Sequence, residues 1–249
     1  MKIAVYGMGR FGSFWAKTLS EYHDVYGYNR TSGKEIPEGV FPATYDQMLS
    51  CDVIVLCVAI SAFKDVVKHL APHLASGTLV MDTCSVKTYP ASVMLEYLPH
   101  DIHCIATHPM FGPDSAKHGV QGLPFVYCPL RCPTDTATFW KQQFLAMKMN
   151  VLEMDCDRHD KQAAYSQGVT HFVGRVLDEL HLQETELATL GYKNLMTIVE
   201  QTCNDPLQLF YDLQRFNPYA HRMHEQLKQA LEAVVSALDR QDAAGWKIT

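Results

Sequence analysis

A glycine fingerprint and a histidine further along the chain are the residues whose types and spacing could do chemistry. Gly7, Gly9 and Gly12 spell G-x-G-x-x-G directly after a β-prone run, and His108 lies in the run THPMFGP at residues 107–113. A fingerprint between a strand and a helix binds the pyrophosphate of a dinucleotide. An imidazole beside such a cofactor can remove a proton while hydride leaves the substrate. The pair therefore predicts a dehydrogenase with a nicotinamide or flavin cofactor.

Each glycine of the fingerprint has a physical role. The first permits a tight turn, the second lets the backbone approach the pyrophosphate, and the third allows close packing of helix on strand. The helix that begins there offers free N–H groups and the positive end of its dipole to the phosphates. The alternative is a glycine turn with a merely structural role. We expect the cofactor loop to consist of Gly7, Gly9, Arg10, Phe11 and Gly12.

The end of the second predicted strand decides which dinucleotide binds. An Asp or Glu there would hydrogen-bond a ribose 2′-hydroxyl and repel a 2′-phosphate. The strand instead ends in Asn29, Arg30, Thr31 and Ser32, without an acid. Arg30 can pair with a phosphate, and the two hydroxyls can donate hydrogen bonds to it. The sequence therefore predicts NADP rather than NAD, although an Arg30 that only stacks on adenine would leave the selectivity mixed.

Two elements follow predicted strands on the cofactor side, DTCSVK at residues 82–87 and the His108 run. Ligands of open α/β sheets bind beyond the carboxyl ends of the strands, so both elements should face the nicotinamide. The Ser85 hydroxyl and the His108 imidazole would suit removal of a substrate O–H proton as hydride departs. Taken alone, a histidine before a proline is more often part of a capped turn.

A polar stripe recurs on a predicted helix in the second half of the chain. Gln167, His171 and Arg175 follow one another every four residues, with small residues beside them. Residues three or four apart share a helix face. The stripe is either a ligand-binding face or an ordinary solvated one, on which Asp178 would also lie.

Strand and helix patterns alternate over the first 154 residues. The continuous apolar run at residues 53–59 is typical of a parallel strand that is covered on both faces. The alternation predicts an α/β fold with a Rossmann-type, doubly wound sheet. Strands are expected at residues 2–6, 24–28, 53–59, 78–81, 102–106, 125–127 and 151–154, and helices after the fingerprint and at 62–74, 91–98 and 136–147.

The pattern changes near residue 155, and no strand is evident from residue 160 onwards. We therefore predict an N-terminal nucleotide-binding domain at residues 1–154 and an all-α domain at residues 155–249 that completes the site. This second domain has two apolar helical faces. One consists of Val169, Phe172, Val173, Val176, Leu177 and Leu180, and the other of Leu227, Leu231, Val234, Val235 and Leu238. The second of these faces could pack within the subunit or across a two-fold axis.

The composition argues against several classes of protein. The 249 residues are 47% hydrophobic and 19% charged, as in globular proteins, and a net charge of −6 gives no nucleic-acid footprint. The longest apolar stretch, residues 53–60, is too short to cross a bilayer. Eight cysteines form neither a C-x-x-C pair nor zinc-ligand spacing, so we expect no metal and a reduced, cytoplasmic compartment. No signal peptide is expected, because the first strand begins at Lys2.

Taken together, these motifs resemble those of the prephenate and arogenate dehydrogenases of tyrosine biosynthesis. The resemblance rests on the fingerprint, SVK at residues 85–87, HPMFGP at 108–113 and HDxxAAxSQxxTHxxGR at 159–175. It covers nearly the whole chain and extends to GY at 191–192, FY at 210–211 and NP at 217–218. The pattern looks most like the NADP-dependent, arogenate-type branch of the family.

The resemblance implies a reaction and the roles of particular residues. A cyclohexadienyl substrate loses hydride from C4 and carbon dioxide from C1, giving a 4-hydroxyphenyl product. By this resemblance His108 accepts the hydrogen bond and then the proton of the substrate 4-hydroxyl, and Ser85 orients His108 or that hydroxyl. The resemblance also implies a homodimer through the C-terminal helices. The substrate contacts that it favours are His171, Gln167, Arg175 and Lys117, the last for a carboxylate.

Two positions depart from the family pattern. Many bacterial members grip the substrate side-chain carboxylate with an arginine, but Lys193 is the only base in residues 191–205. Recognition then falls to Lys117, Arg175, Arg215 or a partner subunit. Cys128 follows LPFVY at a position where arogenate-type relatives tend to carry Asp. Without that carboxylate the ammonium of arogenate lacks a partner, which favours prephenate.

Two other functions remain open at the level of the sequence. One is another NADP-dependent oxidoreductase of the same architecture, such as a β-hydroxyacid or imine reductase, although these lack the paired HPMFGP and 159–175 runs. The other is a non-catalytic NADP-binding regulator, which would keep the glycines but need neither Ser85 nor His108.

Overall fold

In the computed structural model, which describes residues 1–31 and 33–239, one sheet carries all eight strands of the described chain. The strands are β1 (Lys2–Tyr6), β2 (Asp24–Tyr28), β3 (Phe41–Pro42), β4 (Val53–Leu56), β5 (Leu79–Asp82), β6 (His103–Pro109), β7 (Pro124–Arg131) and β8 (Asn150–Glu153). Their order across the sheet is β3-β2-β1-β4-β5-β6-β7-β8. The predicted doubly wound α/β sheet is confirmed.

Helices cover both faces of the sheet, and the second part of the chain consists of helices without strands among its described residues. In the first part of the chain they are α1 (Arg10–Ser20), α2 (Tyr45–Leu49), α3 (Ile60–Leu70), α4 (Thr88–Tyr97) and α5 (Thr134–Ala146). In the second part they are α6 (Cys156–Ala163), α7 (Val169–Asp178), α8 (Leu190–Cys203), α9 (Leu207–Phe216) and α10 (Ala220–Asp239). A π-helical turn, Ala164–Gly168, joins α6 to α7.

The core consists of two apolar clusters, one on each face of the sheet. Phe63 of α3 and Met94 of α4 belong to one cluster, and Trp15 of α1 and Phe144 of α5 belong to the other. Every residue of β4 and β5 is buried, as expected for central parallel strands that are covered on both faces.

Two strands, β7 and β8, run against the other six. β7 pairs antiparallel with β6, and β8 pairs parallel with β7, whereas β1 to β6 form parallel pairs. A parallel return needs a long crossover, usually a helix. Residues 110–123 between β6 and β7 contain turns but no helix, so the chain comes back antiparallel.

The structure differs from the sequence prediction at short elements and boundaries. β3 and α2 were not predicted, because a two-residue strand and a five-residue helix have too few residues for a periodic pattern. α3 ends at Leu70 and is followed by a 3-10 turn, Ala71–His73, because Pro72 cannot continue the α-helical hydrogen bonds. α4 begins at Thr88, three residues earlier than predicted.

The helical second part contains no strand among its described residues, as predicted. The predicted apolar face along α7 is not core: Val176 is 48% exposed, and Leu180, two residues beyond the end of the helix, is 61% exposed. On α10, Leu231 and Leu238 are 63% and 74% exposed. No described helix combines the length and apolar character that a membrane crossing would require.

Candidate active site

A cleft of about 620 Å³ lies between the carboxyl edge of the sheet and the helical second part. Its floor is formed by the fingerprint loop and by the chain that follows β4, β5 and β6. The opposite wall is formed by the π turn, α7 and the connection between α8 and α9. β1 and β4 are the neighbours at which the strand order reverses, and such sheets bind ligands there.

The fingerprint loop has the geometry that a dinucleotide needs. Gly7 has a φ of +106°, and a Cβ there would lie 2.3 Å from the carbonyl oxygen of Cys57. A Cβ on Gly12 would lie 1.8 Å from the Gly7 carbonyl oxygen, whereas one on Gly9 would meet nothing within 4 Å. Gly9 is the N-cap of α1 and makes no side-chain cap, so the first N–H groups of the helix are left for a ligand. These residues fit a bound pyrophosphate.

The end of β2 continues this surface. Asn29 braces the loop, because its Oδ1 accepts a hydrogen bond from Met8 N at 3.2 Å and its Nδ2 donates to Thr31 O at 2.7 Å. Arg30 and Thr31 are exposed and lie outside the cleft lining. Ser32, the fourth residue predicted to contact the cofactor here, lies outside the described residues. No acid stands among Asn29, Arg30 and Thr31 to repel a 2′-phosphate.

Arg10 and Phe11 line the cleft at the start of α1. The Arg10 guanidinium contacts the Asp114 carboxylate at 2.5 Å and the Asp205 carboxylate at 3.6 Å. Asp114 follows the HPMFGP run, and Asp205 lies between α8 and α9. The cation beside the fingerprint therefore holds together three segments that surround the cleft.

His108 is at the cleft end of a chain of buried hydrogen bonds. Its Nδ1 lies 2.9 Å from Nε2 of His159, and Nδ1 of His159 lies 2.8 Å from Oδ1 of Asp160. Asp160 also accepts hydrogen bonds from the backbone amides of Lys87 at 2.6 Å and Thr88 at 2.9 Å, and from the Thr88 hydroxyl. The chain joins β6 of the sheet to α6 of the helical part.

The charges along this chain follow from burial and hydrogen bonding. Burial lowers the pKa of His108 well below its ordinary value, and His159 and Lys87 act in the same direction. Burial also lowers the pKa of His159. Burial alone would raise the pKa of Asp160, but hydrogen bonds from His159 and Thr88 lower it overall. The arrangement is two neutral imidazoles ending on a carboxylate.

A buried ion pair fixes the strand ends next to His108. Lys87 Nζ contacts the Asp82 carboxylate and the Thr107 carbonyl, and neither charged side chain is exposed. Asp82 also accepts hydrogen bonds from Cys84 N at 2.9 Å and Thr107 N at 3.1 Å. Burial lowers the pKa of Lys87, but the Asp82 carboxylate outweighs it and the net direction is upward. The pair sets the distance between the ends of β5 and β6.

Ser85 lies on the cleft, as predicted, and is 9% exposed. Ser85 was expected to orient His108 or the substrate hydroxyl. His159 occupies Nδ1 of His108, which leaves Nε2 of that ring and the substrate hydroxyl as the groups on which Ser85 could act. Ser85 and His108 both line the cleft, so both can contact a ligand there.

Two of the three residues of the predicted polar stripe face the cleft rather than solvent, one from the π turn and one from α7. Gln167 and His171 both line the cleft, and His171 is 8% exposed. Gln167 Oε1 and His171 Nδ1 are buried and have no hydrogen-bond partner within the described part of the chain. Buried polar atoms are almost always paired, so these two atoms indicate a ligand that supplies the partners.

Three residues predicted to bind substrate do not line the cleft. Arg175 donates to the carbonyls of Thr202 at 3.2 Å and Asp205 at 3.1 Å, and so it braces the α8–α9 connection. Lys117 is exposed on the loop after β6. Cys128 is 1% exposed and lies in the apolar core, so its thiol contacts no ligand in the cleft.

Three functional candidates were not predicted. His159 and Asp160 stand at the start of the quoted 159–175 run, but nothing in their spacing shows that they reach His108, 51 residues earlier. Asp205 lines the cleft near His171, and burial raises the pKa of its carboxyl. An acidic residue in a loop between two helices belongs to no sequence pattern that would predict its position on a cleft.

Comparison with known proteins shows which proteins this chain is similar to. Residues 16–150 match the family model described as prephenate dehydrogenase, nucleotide-binding domain, and residues 176–246 match the model described as TYRAAT1-like, C-terminal domain. The chain is 37% identical to arogenate dehydrogenase 2, chloroplastic, of Arabidopsis thaliana, over 96% of this chain and 70% of that protein. It is 34% identical to arogenate dehydrogenase 1, chloroplastic, of the same plant, over 96% of this chain and 39% of that protein.

A solved structure shows the same fold. Prephenate dehydrogenase from A. aeolicus, in complex with hydroxyphenyl propionate and NAD+, superimposes with a TM-score of 0.76. The match covers 98% of this chain and 92% of that one at 18% sequence identity.

Proposed function

The chain belongs to the prephenate and arogenate dehydrogenase family, and on that premise we propose that it oxidises and decarboxylates prephenate or arogenate with NADP+. The products are 4-hydroxyphenylpyruvate or tyrosine, carbon dioxide and NADPH. The observation that carries the proposal is a buried, neutral imidazole on the cleft that the fingerprint opens. This pairing of a proton acceptor with a dinucleotide loop is what removal of hydride from an alcohol carbon requires.

His108 and Ser85 act on the substrate 4-hydroxyl. When bound, the oxidised nicotinamide supplies the acceptor for the hydride that leaves C4. His108 takes the hydroxyl proton as the C4 carbonyl forms, and Ser85 donates a hydrogen bond that holds the oxygen in place. Loss of carbon dioxide from C1 then makes the ring aromatic, and the phenolate oxygen takes a proton back.

Gln167 and His171 bind the substrate from the opposite wall. Their buried, unpartnered atoms offer one acceptor and one ring nitrogen to polar groups of the ligand. Arg175 acts through the loop that it braces, not by contact with substrate. Arg10 contributes to cofactor binding, because a pyrophosphate at Gly9 would lie next to its guanidinium.

NADP rather than NAD is the proposed cofactor. An anion at the end of β2 would meet the Arg30 guanidinium and the Thr31 hydroxyl, and no acid among the described residues 29–31 would repel it. Charge-assisted hydrogen bonds of this kind are about twice as strong as neutral ones.

Asp205 favours arogenate as the better of the two substrates. The sequence argument for prephenate relied on the missing acid at Cys128, but that position lies in the core. Asp205 instead presents a half-buried carboxylate to the cleft beside His171. A substrate ammonium would find its partner there, whereas the keto oxygen of prephenate would not.

The test is an absorbance assay of nicotinamide reduction with each substrate and each cofactor. We expect turnover with NADP+ at a kcat/KM at least about 10-fold above that with NAD+, and a higher kcat/KM for arogenate than for prephenate. No turnover of either substrate would contradict the proposed function. Equal use of both substrates would contradict only the role of Asp205.

The assembly and location are part of the same proposal. We place the domain boundary near residue 155, where the last strand gives way to α6, and infer a homodimer through the exposed apolar faces of α7 and α10. All eight cysteines are free thiols, which suits a reducing compartment such as the cytoplasm.

A further inference from the structure

We propose that His159 and Asp160 are positioning residues that hold His108 in the tautomer with a bare Nε2 towards the substrate. The inference rests on the proposed function, because it concerns the base of that reaction. It assigns a purpose to two buried residues that contact neither the cleft nor the fingerprint.

The position of each proton in the hydrogen-bond chain is determined first at Asp160. Its carboxylate accepts hydrogen bonds from the backbone amides of Lys87 and Thr88 and from the Thr88 hydroxyl. It also lies 2.8 Å from His159 Nδ1. Three fixed donors hold the group as a carboxylate, which can only accept. His159 must therefore carry its proton on Nδ1 and donate it to Asp160.

The second step follows from the neutral state of His159. With its proton on Nδ1, its Nε2 has a lone pair and needs a donor. That nitrogen lies 2.9 Å from His108 Nδ1, which must then carry the His108 proton. A neutral imidazole has one N–H, so Nε2 of His108 is left as an acceptor.

The reverse order of protons would fail at the Asp160 end. A His108 with its proton on Nε2 would require a proton on Nε2 of His159, and then a bare Nδ1 facing the Asp160 carboxylate. Two acceptors 2.8 Å apart without a proton between them repel each other. The direction of the chain is therefore fixed by the carboxylate at its far end.

The same chain stabilises His108 after it accepts the substrate proton. The imidazolium then donates from Nδ1 to His159, whose other nitrogen already donates to a negative charge. The catalytic serine triad uses a carboxylate in this way to fix the tautomer of one imidazole, and its loss there lowers kcat by about 10⁴-fold. Here a second imidazole extends the reach of the carboxylate from α6 to β6.

The hydrogen-bond chain also makes the protonation of His108 depend on how the helical part of the molecule packs against the sheet. Asp160 accepts at the first turn of α4, and Asn217 Nδ2 donates to the Asp160 carbonyl at 2.9 Å. His108 belongs to the sheet, and its partner belongs to α6. The base is correctly protonated only where α6 is seated against β6.

The first measurement reads the protonation of His108 directly in the wild-type protein. Two-bond ¹H–¹⁵N correlation spectra of the full chain, labelled at histidine nitrogens and assigned by comparison with His108→Asn, report which nitrogen of His108 carries the proton. We expect a protonated Nδ1 and a bare Nε2 near neutral pH. A proton on Nε2 overturns the proposal even if the enzyme is fully active.

Two variants of His159 test the function of the chain. His159→Phe keeps the ring but removes the acceptor, so kcat should fall on the order of 10²-fold while KM changes less than about 3-fold. In His159→Gln the amide can donate to Asp160 and accept from His108, so kcat should stay within about 10-fold of the wild type. A wild-type kcat in His159→Phe, or equal losses in both variants, overturns the proposal.

Asp212 provides a matched control. It is a buried aspartate of the helical part that accepts hydrogen bonds from Ser61 N at 3.0 Å and Ser61 Oγ at 2.9 Å, and so caps α3 much as Asp160 caps α4. Asp212→Asn should destabilise the junction without changing the nitrogen signals of His108. Inactivity of the wild-type protein towards both substrates would remove the proposed function but leave the nitrogen spectra as an independent result.

Discussion

The charge state of His108 is decided by where the ring lies. It is 2% exposed, and burial disfavours the imidazolium, so the ring is neutral and able to accept a proton at neutral pH. Ser85 beside it has a hydroxyl but no means of accepting a proton at that pH. The two residues therefore divide the work between a base and a hydrogen-bond donor.

Replacement of His108 by asparagine tests this division. Asn keeps a polar side chain of similar size but cannot accept the proton, so kcat should fall roughly 10²–10⁴-fold. The Kd for NADP+, measured by fluorescence titration, should change little because the fingerprint is untouched. A variant with near-normal kcat would remove His108 from the mechanism.

Arg30 decides cofactor selectivity at the same scale. Arg30→Ala should weaken NADP+ binding roughly 10-fold or more, because a hydrogen bond to a charged group contributes about 1.5–3 kcal/mol. NAD+ binding should be almost unchanged, and calorimetry measures both. Lys34→Ala removes an exposed cation nearby and serves as the control. An equal loss for both cofactors would mean that Arg30 contacts the shared part of the dinucleotide.

The sequence was informative about residues whose neighbours in the chain explain them. The fingerprint glycines and His108 each stand in a local run that specifies a turn or a strand end. His159 and Asp160 act on His108 only because α6 packs beside β6, and the core position of Cys128 depends on the β6–β7 register. Such relations arise from tertiary packing, which a motif in one segment does not encode.

At the scale of elements, the ends of β5 and β6 are fixed by one buried ion pair. Lys87 and Asp82 are both fully buried, and Asp82 also holds the amides of Cys84 and Thr107. Ser85 and His108 directly follow these two anchoring points. Their separation across the cleft therefore depends on a charge pair that does not itself reach the ligand.

Lys87→Met should expose this dependence. Removing one partner leaves an uncompensated buried carboxylate, which typically costs about 3–5 kcal/mol of the free energy of unfolding. Urea denaturation followed by circular dichroism measures the loss. Lys141→Met is the control, because Lys141 pairs with Glu153 on the surface and should contribute at most about 1 kcal/mol. Similar losses in both variants would contradict the anchoring role.

Elements were predictable in proportion to their length and burial. β4 and β5 were evident because β4 is wholly apolar and β5 is apolar up to Asp82, whereas β3 has two residues and leaves no periodic signal. The α7 stripe remained ambiguous between solvent and ligand, because periodicity gives a face but not what that face meets. The structure places Gln167 and His171 on the cleft but not Arg175, and it leaves the apolar residues Val176 and Leu180 exposed.

The whole molecule should lose stability on mild acidification. Burial lowers the pKa values of His108, His159 and His171, so the unfolded chain binds protons at these residues before the native state does. The stability is complete above the unfolded pKa of about 6.5 and falls as the pH drops below it, by up to about 1.4 kcal/mol per histidine per pH unit.

Denaturant titrations between neutral pH and about pH 5 measure this slope. His171→Phe should reduce this slope by about one proton. Stability that is independent of pH over this range would mean that the three rings titrate normally in the native state.

The second feature at this scale is the apolar face of α10. Leu231, Val235 and Leu238 are 63%, 50% and 74% exposed and recur at helical spacing, so they form one continuous stripe. Lone apolar residues are common on protein surfaces, but a stripe of this kind usually marks an interface. In a dimer with two-fold symmetry, the interface would bury each of these side chains in both subunits.

Leu231→Glu should therefore separate the subunits. Burial of a leucine contributes about 1.5–3 kcal/mol, and a symmetric interface counts it twice, so the dimer Kd should rise on the order of 10²-fold or more. Sedimentation equilibrium measures that Kd. Gln229→Glu adds the same charge to the opposite side of the helix, where it is exposed, and should leave the dimer intact. A wild-type chain that sediments as a monomer would contradict the proposed dimer, and the exposed stripe would then need another partner.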